Sequence, residues 1–162
     1  MSNGDLMNNS TKYWDFWIEY LMKADMVLDT PLYEIFHFDD NEPDANELVA
    51  LVIEGKKLGT ASLLWEYQTG DKQQPKAGDL SVVTDWDGFP QCVIETTLVD
   101  VIPFKNVGEK FAASEGEGDL SLEYWKDVHW EYFGRVCEEL NQERSLEMMV
   151  VCENFKVVYP TG

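Results

Sequence analysis

The sequence predicts an α+β fold: a small curved sheet or barrel of mixed strands with helices grouped outside it. Apolar residues recur at helical spacing near the start and over residues 120–140, while the middle and end carry β-branched runs bounded by Gly, Pro and Asp. At 162 residues and 44% hydrophobic content, the chain is long enough to bury a core without disulfide staples. Strands in the middle with helices outside them are the order expected of an α+β domain.

The elements follow in order. Residues 1–10 read as a mobile tail. Thr11 is placed to cap a helix running to Asp25, with Trp14, Trp17, Ile18 and Leu21 on one face. Residues 1–30 are thus expected to form a tail and helix packed on a domain spanning 31–160. A short segment, Tyr33 to Phe38, meets the acidic turn Asp39-Asp40-Asn41-Glu42-Pro43. A second helix is expected from Pro43 or Asp44 to Gly55, with Leu48, Leu51 and Val52 inward. Strands are predicted over Leu58–Tyr67, Leu80–Thr84 and Cys92–Val101, with a polar loop from Gln68 to Lys76 and a hairpin turn at Asp87-Gly88. A short helix over Val107–Ala113 leads to the acidic loop Glu115-Gly116-Glu117-Gly118-Asp119. The strongest helix follows, Leu120 to Leu140, where Leu122, Trp125, His129, Phe133, Val136 and Leu140 form one stripe. One or two strands over Met148–Val158 close the chain.

Charge narrows the function classes. Twelve Lys and Arg against 31 Asp and Glu leave a net charge of −19. Such a field repels polyphosphate, so general DNA or RNA binding is disfavoured, although a local basic pocket around Lys56 and Lys57 remains compatible with it. Cys92, Cys137 and Cys152 are odd in number and lack CxxC spacing, as expected of reduced, mostly buried thiols in a cytoplasmic protein. The polar N-terminus lacks the apolar core of a signal peptide, and no stretch has the roughly 20 apolar residues that span a membrane. With only His37 and His129 and no paired cysteines, neither a metal site nor a cofactor is expected.

The most suggestive stretch is Gly55-Lys56-Lys57-Leu58-Gly59-Thr60. An amine and a hydroxyl so close together form a nucleophile–base pair if the backbone turns both into one pocket. The same residues also suit a helix C-terminus with its usual cations and glycine. In a regular strand, positions 57 and 60 face opposite sides, so Gly59 would have to supply a bulge to re-aim Thr60. Glu115, in a glycine-containing loop, is the leading carboxylate to complete such a group, or else part of a solvated acidic turn. His129 reads as a core histidine or a pocket group, and the aromatics around it, Trp125 included, as core or as a stacking surface. Asp85 and Asp87 fit a turn beside Gly88 better than a metal pair.

Together these pieces resemble the ASCH domain of the PUA-like superfamily. The likeness runs from Phe38-Asp39-Asp40 through Ala45-Asn46-Glu47-Leu48, and Gly55-Lys56-Lys57-Leu58-Gly59-Thr60-Ala61-Ser62 is similar to the family's G-x-K-x-x-T signature. Gly78-Asp79 and Asp87-Gly88-x-Pro90 fit its strand-turn-strand. The most selective part is Phe111-Ala112-Ala113-Ser114-Glu115-Gly116-Glu117-Gly118-Asp119 with Ser121-Leu122-Glu123-Tyr124-Trp125 and the stretch from His129 to Phe133. The resemblance covers residues 30–158 and places the first helix among the additions of longer bacterial members. It implies a PUA-like β-barrel with a cleft that holds a nucleoside or an RNA-derived ligand. A bacterial subgroup removes the acyl group of N4-acetylcytidine; its lysine, threonine and glutamate fall on Lys57, Thr60 and Glu115, with Thr60 attacking, Lys57 as base and Glu115 orienting. Lys56, Ser62, Trp125 and His129 are the implied ligand-binding neighbours. Other ASCH proteins bind RNA without chemistry or cut it, so a non-catalytic RNA-binding module and, less readily, a ribonuclease are the alternatives. Leu58 stands where many relatives have threonine, and the chain is longer than the amidohydrolase subgroup.

Overall fold

Helix α1 runs over Asn3–Lys23 in the computed structural model, which describes residues 3–161, with side chains described from Lys12 onward. Its start lies earlier than the expected cap at Thr11. Asn8, Asn9, Ser10 and Thr11 each cost only a few tenths of a kcal/mol in a helix, about 0.7 at most, and no proline interrupts them. The inward face also differs from the expected one. Trp17, Tyr20 and Leu21 are buried and Ile18 packs partly buried against them, whereas Trp14 is 56% exposed. Rows three and four apart share a helix face, so a one-residue rotation of the buried stripe exchanges Trp14 for Tyr20.

Helix α2, Glu42–Ile53, is capped by Asn41, whose side chain accepts from the Asp44 amide at 3.0 Å. Ala45, Val49 and Val52 form its buried row, so of the three expected inward residues only Val52 is fully buried. Gly55, at φ +77°, ends it. Strand β1, Glu34–Phe36, pairs in parallel with β3, Leu80–Thr84, and β3 pairs antiparallel with β4, Pro90–Pro103. The turn between them closes through Asp85 and Phe89 around Gly88, as the Asp-Gly pair predicts.

Strand β2 covers only Gly59–Leu63, shorter than the expected Leu58–Tyr67. Residues Trp65–Gln68 instead make one helical turn, α3, because the Glu66 carboxylate accepts from the Leu63 amide at 2.7 Å and turns the chain. The short helix expected over Val107–Ala113 is α4, Glu109–Ser114, and a 3-10 turn, Phe104–Asn106, precedes it. Helix α5 covers Leu122–Glu139 and buries Trp125, His129, Phe133 and Val136 as its periodicity requires. A single strand, β5, Met149–Tyr159, closes the chain. The strands form one mixed five-stranded sheet in the order β1-β3-β4-β5-β2, and among the described residues no helix is long and apolar enough to cross a membrane.

Two compact units share the chain: residues up to 55 with 78–95 and 156 onward, and residues 56–77 with 96–155. The first has a core of Trp17, Tyr20, Leu21, Leu80, Val82, Val93 and Tyr159. The second packs α5 through Trp125, Phe133 and Val136 against Leu63, Phe104, Met148, Val150 and Cys152. Cys92, Cys137 and Cys152 are all buried and unpaired, and burial pushes the Cys92 and Cys152 thiols up to about 12. Leu21→Ala is expected to cost about 2–5 kcal/mol in urea unfolding and Trp14→Ala within about 0.5 kcal/mol, which would confirm the rotated stripe of α1.

Candidate functional site

The site lies wholly within the second unit and begins where the chain leaves α2. Leu58 is clamped from two sides: its amide donates to the Ser114 carbonyl at 2.7 Å, and its carbonyl accepts from the Phe155 amide and from Asn154 Nδ2, both at 3.1 Å. Gly59 is needed there, because a Cβ would stand 2.8 Å from Ser114 Oγ. Gly116 closes the other side. It has φ +70°, and a Cβ would meet the Lys56 carbonyl oxygen at 2.2 Å, so the loop following α4 lies directly on the Lys56–Lys57 backbone.

That approach brings Lys57 and Glu115 together. Lys57 is 1% exposed; its Nζ donates to Glu115 Oε1 at 3.0 Å, to Glu117 Oε2 at 3.3 Å and to the Glu115 carbonyl at 3.4 Å. The other Glu115 oxygen accepts from Trp125 Nε1 and lies 3.1 Å from His129 Nε2. His129 Nδ1 lies 2.8 Å from the Trp125 carbonyl, one helical turn back. A carbonyl only accepts, so Nδ1 carries a proton; Nε2 must carry one too if it is to bond an ionised Glu115. The His129 and Trp125 rings stack at 4.0 Å.

The charges follow from these contacts. Burial opposes ionisation of Glu115, but the Lys57 ammonium, His129 and the Trp125 donor outweigh it and hold the carboxyl at about 2. Burial alone would lower Lys57, yet Glu115 and Glu117 hold its amine above the ordinary value. Burial likewise opposes the charged form of His129, and Glu115 overcomes it, raising His129 above 6.5. The Lys57 amine therefore sits against Glu115 and Glu117, and Glu115 draws His129 toward its protonated form. Lys57 rests as an ammonium, a proton donor and an electrostatic anchor rather than a ready base. The ligand atoms of Glu115, Glu117 and His129 lie within 4.8 Å of one another, the spacing of a metal site, but the Lys57 ammonium already sits on both carboxylates. The set is built as an ion-pair network.

Thr60 and Ser62 are placed differently. The β2–β5 register runs without a shift from Gly59↔Asn154 to Leu63↔Val150, so Gly59 introduces no bulge. Ala61 and Leu63 pack into the core with Trp125, and alternation turns Thr60 and Ser62 to the other face of β2. Thr60 stands opposite Glu153 there, and Ser62 Oγ shares a hydrogen bond of 2.6 Å with the Tyr67 hydroxyl. No hydrogen bond joins Thr60 to Lys57 among the described residues. Lys56 is exposed beside the site, and the Trp125 ring is buried against Phe104, Phe111 and His129, where it holds Glu115 rather than offering an open stacking face.

Two carboxylates that the sequence reading did not single out complete this picture. Glu117 lies two residues after Glu115 between two glycines, and that E-G-E-G spacing was its available signal. Glu153 had none, because only the strand register places it opposite Thr60.

The ion-pair network has a pH signature. Glu115, held below its ordinary 4.5, contributes stability above that pH, and the contribution disappears as pH falls toward about 2. His129, held above 6.5, contributes fully below 6.5 and loses its contribution as pH rises through the raised value. Thermal unfolding from pH 5 to 9 should therefore show a melting temperature that declines above 6.5, and His129→Gln should flatten that decline; an unchanged slope would contradict the protonated pairing.

Comparison with known proteins agrees with this architecture. The family described as ASCH domain matches residues 34–159. A solved ASCH domain from Lactobacillus crispatus JV V101 is 38% identical, with 89% of this chain and 92% of that one covered at a TM-score of 0.81. A protein from Enterococcus faecalis V583 is 31% identical over 94% of this chain and 89% of its own, with a TM-score of 0.83. A hypothetical protein at 19% identity and a TM-score of 0.51, with 79% of this chain and 100% of its own covered, shares the fold alone. No curated protein matches. The chain belongs to the ASCH domain family and has its PUA-like fold.

Proposed function

We propose that this ASCH domain binds a nucleoside or RNA-derived ligand beside Lys57, and that it hydrolyses the amide of N4-acylcytidine-type nucleosides with Lys57, Thr60 and Glu115. The observation that supports the reading is the Lys57 group itself. A buried lysine paired with two carboxylates costs desolvation that an apolar side chain would avoid, and strongly perturbed charges of this kind concentrate at functional sites. The net charge of −19 favours an uncharged nucleoside over a polyanion.

In this reaction Thr60 Oγ attacks the acyl carbon and the amide nitrogen leaves with a proton; water then releases the carboxylic acid and regenerates the hydroxyl. Strand β2 is an edge strand, so a small amide at its margin would meet Thr60 from one face and the Lys57 group from the other. Glu115 keeps Lys57 in place. Lys57 accepts the Thr60 proton only after shedding one of its own, because it rests as the ammonium.

The second reading, a non-catalytic RNA-binding or regulatory module, is favoured by exposed Lys56 next to the site and by the lack, among the described residues, of a hydrogen bond between Lys57 and Thr60. The test is incubation of purified protein with N4-acetylcytidine and chromatography of the products. Release of cytidine, reduced at least about 100-fold by Thr60→Ala with the fold intact, is the expected result. Absence of turnover in the unmodified protein sinks the hydrolase reading. Low-salt gel shifts weakened by Lys56→Ala would then support RNA binding.

A further inference from the structure

We infer that the Glu117 side chain occupies the seat of the ligand's carbonyl oxygen on Lys57, and that an uncharged amide displaces it. The inference rests on the reading of the Lys57 group as the ligand site. Among the acceptors of Lys57 Nζ, those from Glu115 are fixed: the residue is buried, and its second oxygen is held by Trp125 and His129. Glu117 is the acceptor with an outlet, its side chain 18% exposed while Lys57 and Glu115 are each at 2%.

The backbone on either side of Glu117 is closely packed. Gly116 is pressed on the Lys56 carbonyl, and at Gly118 (φ +59°) a Cβ would lie 2.5 Å from the Tyr124 ring. Both flanks of the loop lie against neighbouring atoms, so rotation of the partly exposed Glu117 side chain is the smallest movement that frees its seat. That rotation uncovers Lys57 Nζ. A buried ammonium is stabilised by acceptors for its protons, so an oxygen entering the vacated position is favoured there. An amide carbonyl meets that need without a charge.

The exchange alters the balance of the group. With Glu117 in place, Lys57 and His129 face the carboxylates of Glu115 and Glu117. Cys152, the other titratable neighbour of Glu115, is pushed up to about 12 by burial and remains a neutral thiol. Replacing the Glu117 carboxylate by an uncharged carbonyl removes one of the two negative charges that hold the Lys57 proton. Of the two basic groups, His129 is the weaker base and gives up its proton first, while the Lys57 ammonium, left with Glu115 alone, becomes more acidic than at rest. Binding of an uncharged amide thereby moves Lys57 toward the base that the hydrolysis needs, whereas an anionic oxygen in the same seat would hold its proton in place.

The test needs no turnover. In protein labelled with nitrogen-15 at lysine, the Lys57 titration midpoint in Glu117→Gln should fall by about one unit or more, the effect of removing one adjacent opposite charge. An unchanged midpoint overturns the coupling. In Glu117→Ala, which vacates the seat, acetamide should shift the Lys57 resonance in a saturable way, with a much weaker effect on the unmodified protein. No saturable shift in that variant overturns the seat. Calorimetry of N4-acetylcytidine binding in buffers of different ionisation enthalpy should then show proton release. Failure of that nucleoside to bind, with both lysine results positive, rejects the nucleoside reading and leaves the Glu117 seat standing.

Discussion

The Glu115 carboxylate is the constraint on which the second unit depends. Both of its oxygens are committed, one to Lys57 and the other to Trp125 and His129, so a single side chain ties the entry to β2 to the first two turns of α5. Removing one member of a buried ion pair typically costs about 3–5 kcal/mol, because the partner is left charged and dry. The surrounding sequence is arranged to satisfy this group: Gly116 admits the close approach of the loop, Ser121 caps α5 so that Trp125 points inward, and the α5 stripe buries the tryptophan beside Phe104 and Phe111.

The same arrangement limits what Lys57 can do at rest. A lysine between two carboxylates is an anchored cation, and a role as base requires one carboxylate to withdraw. Glu115 is too firmly held for that, and Glu117 is the partner that reaches solvent. The proposed link between recognition and chemistry is one charge, since loss of the Glu117 carboxylate would weaken the hold on the Lys57 proton. Thr60 and Glu153 stand opposite each other on edge strand β2 and its neighbour β5.

Much of the fold was legible because periodicity records burial. The α5 stripe from Trp125 to Val136 and the limits of β3 follow directly from helical and strand patterns. Local patterns fail where one contact decides: Glu66 ends β2 early, and a one-residue rotation of α1 turns Trp14 outward in favour of Tyr20. At the site, the pairing of Lys57 with Glu115 spans 58 residues, a separation at which spacing carries no information; the glycine-containing loop around Glu115 and the family resemblance were what pointed to it. The charge state of Lys57 was not legible, because it depends on Glu117 coming within 3.3 Å. Nor was the partner of Thr60, which strand register alone decides.

The central claim is that Lys57 and Glu115 are an interdependent buried ion pair. A double-mutant cycle by urea unfolding, using Lys57→Met, Glu115→Leu and the two together, tests it most directly. The predicted result is a strong coupling of about 2–3 kcal/mol, with the double variant more stable than the sum of the single losses allows, because neither charge is then left alone in the core. Additive losses would contradict the account, since they would mean that the two residues stabilise the fold independently of each other.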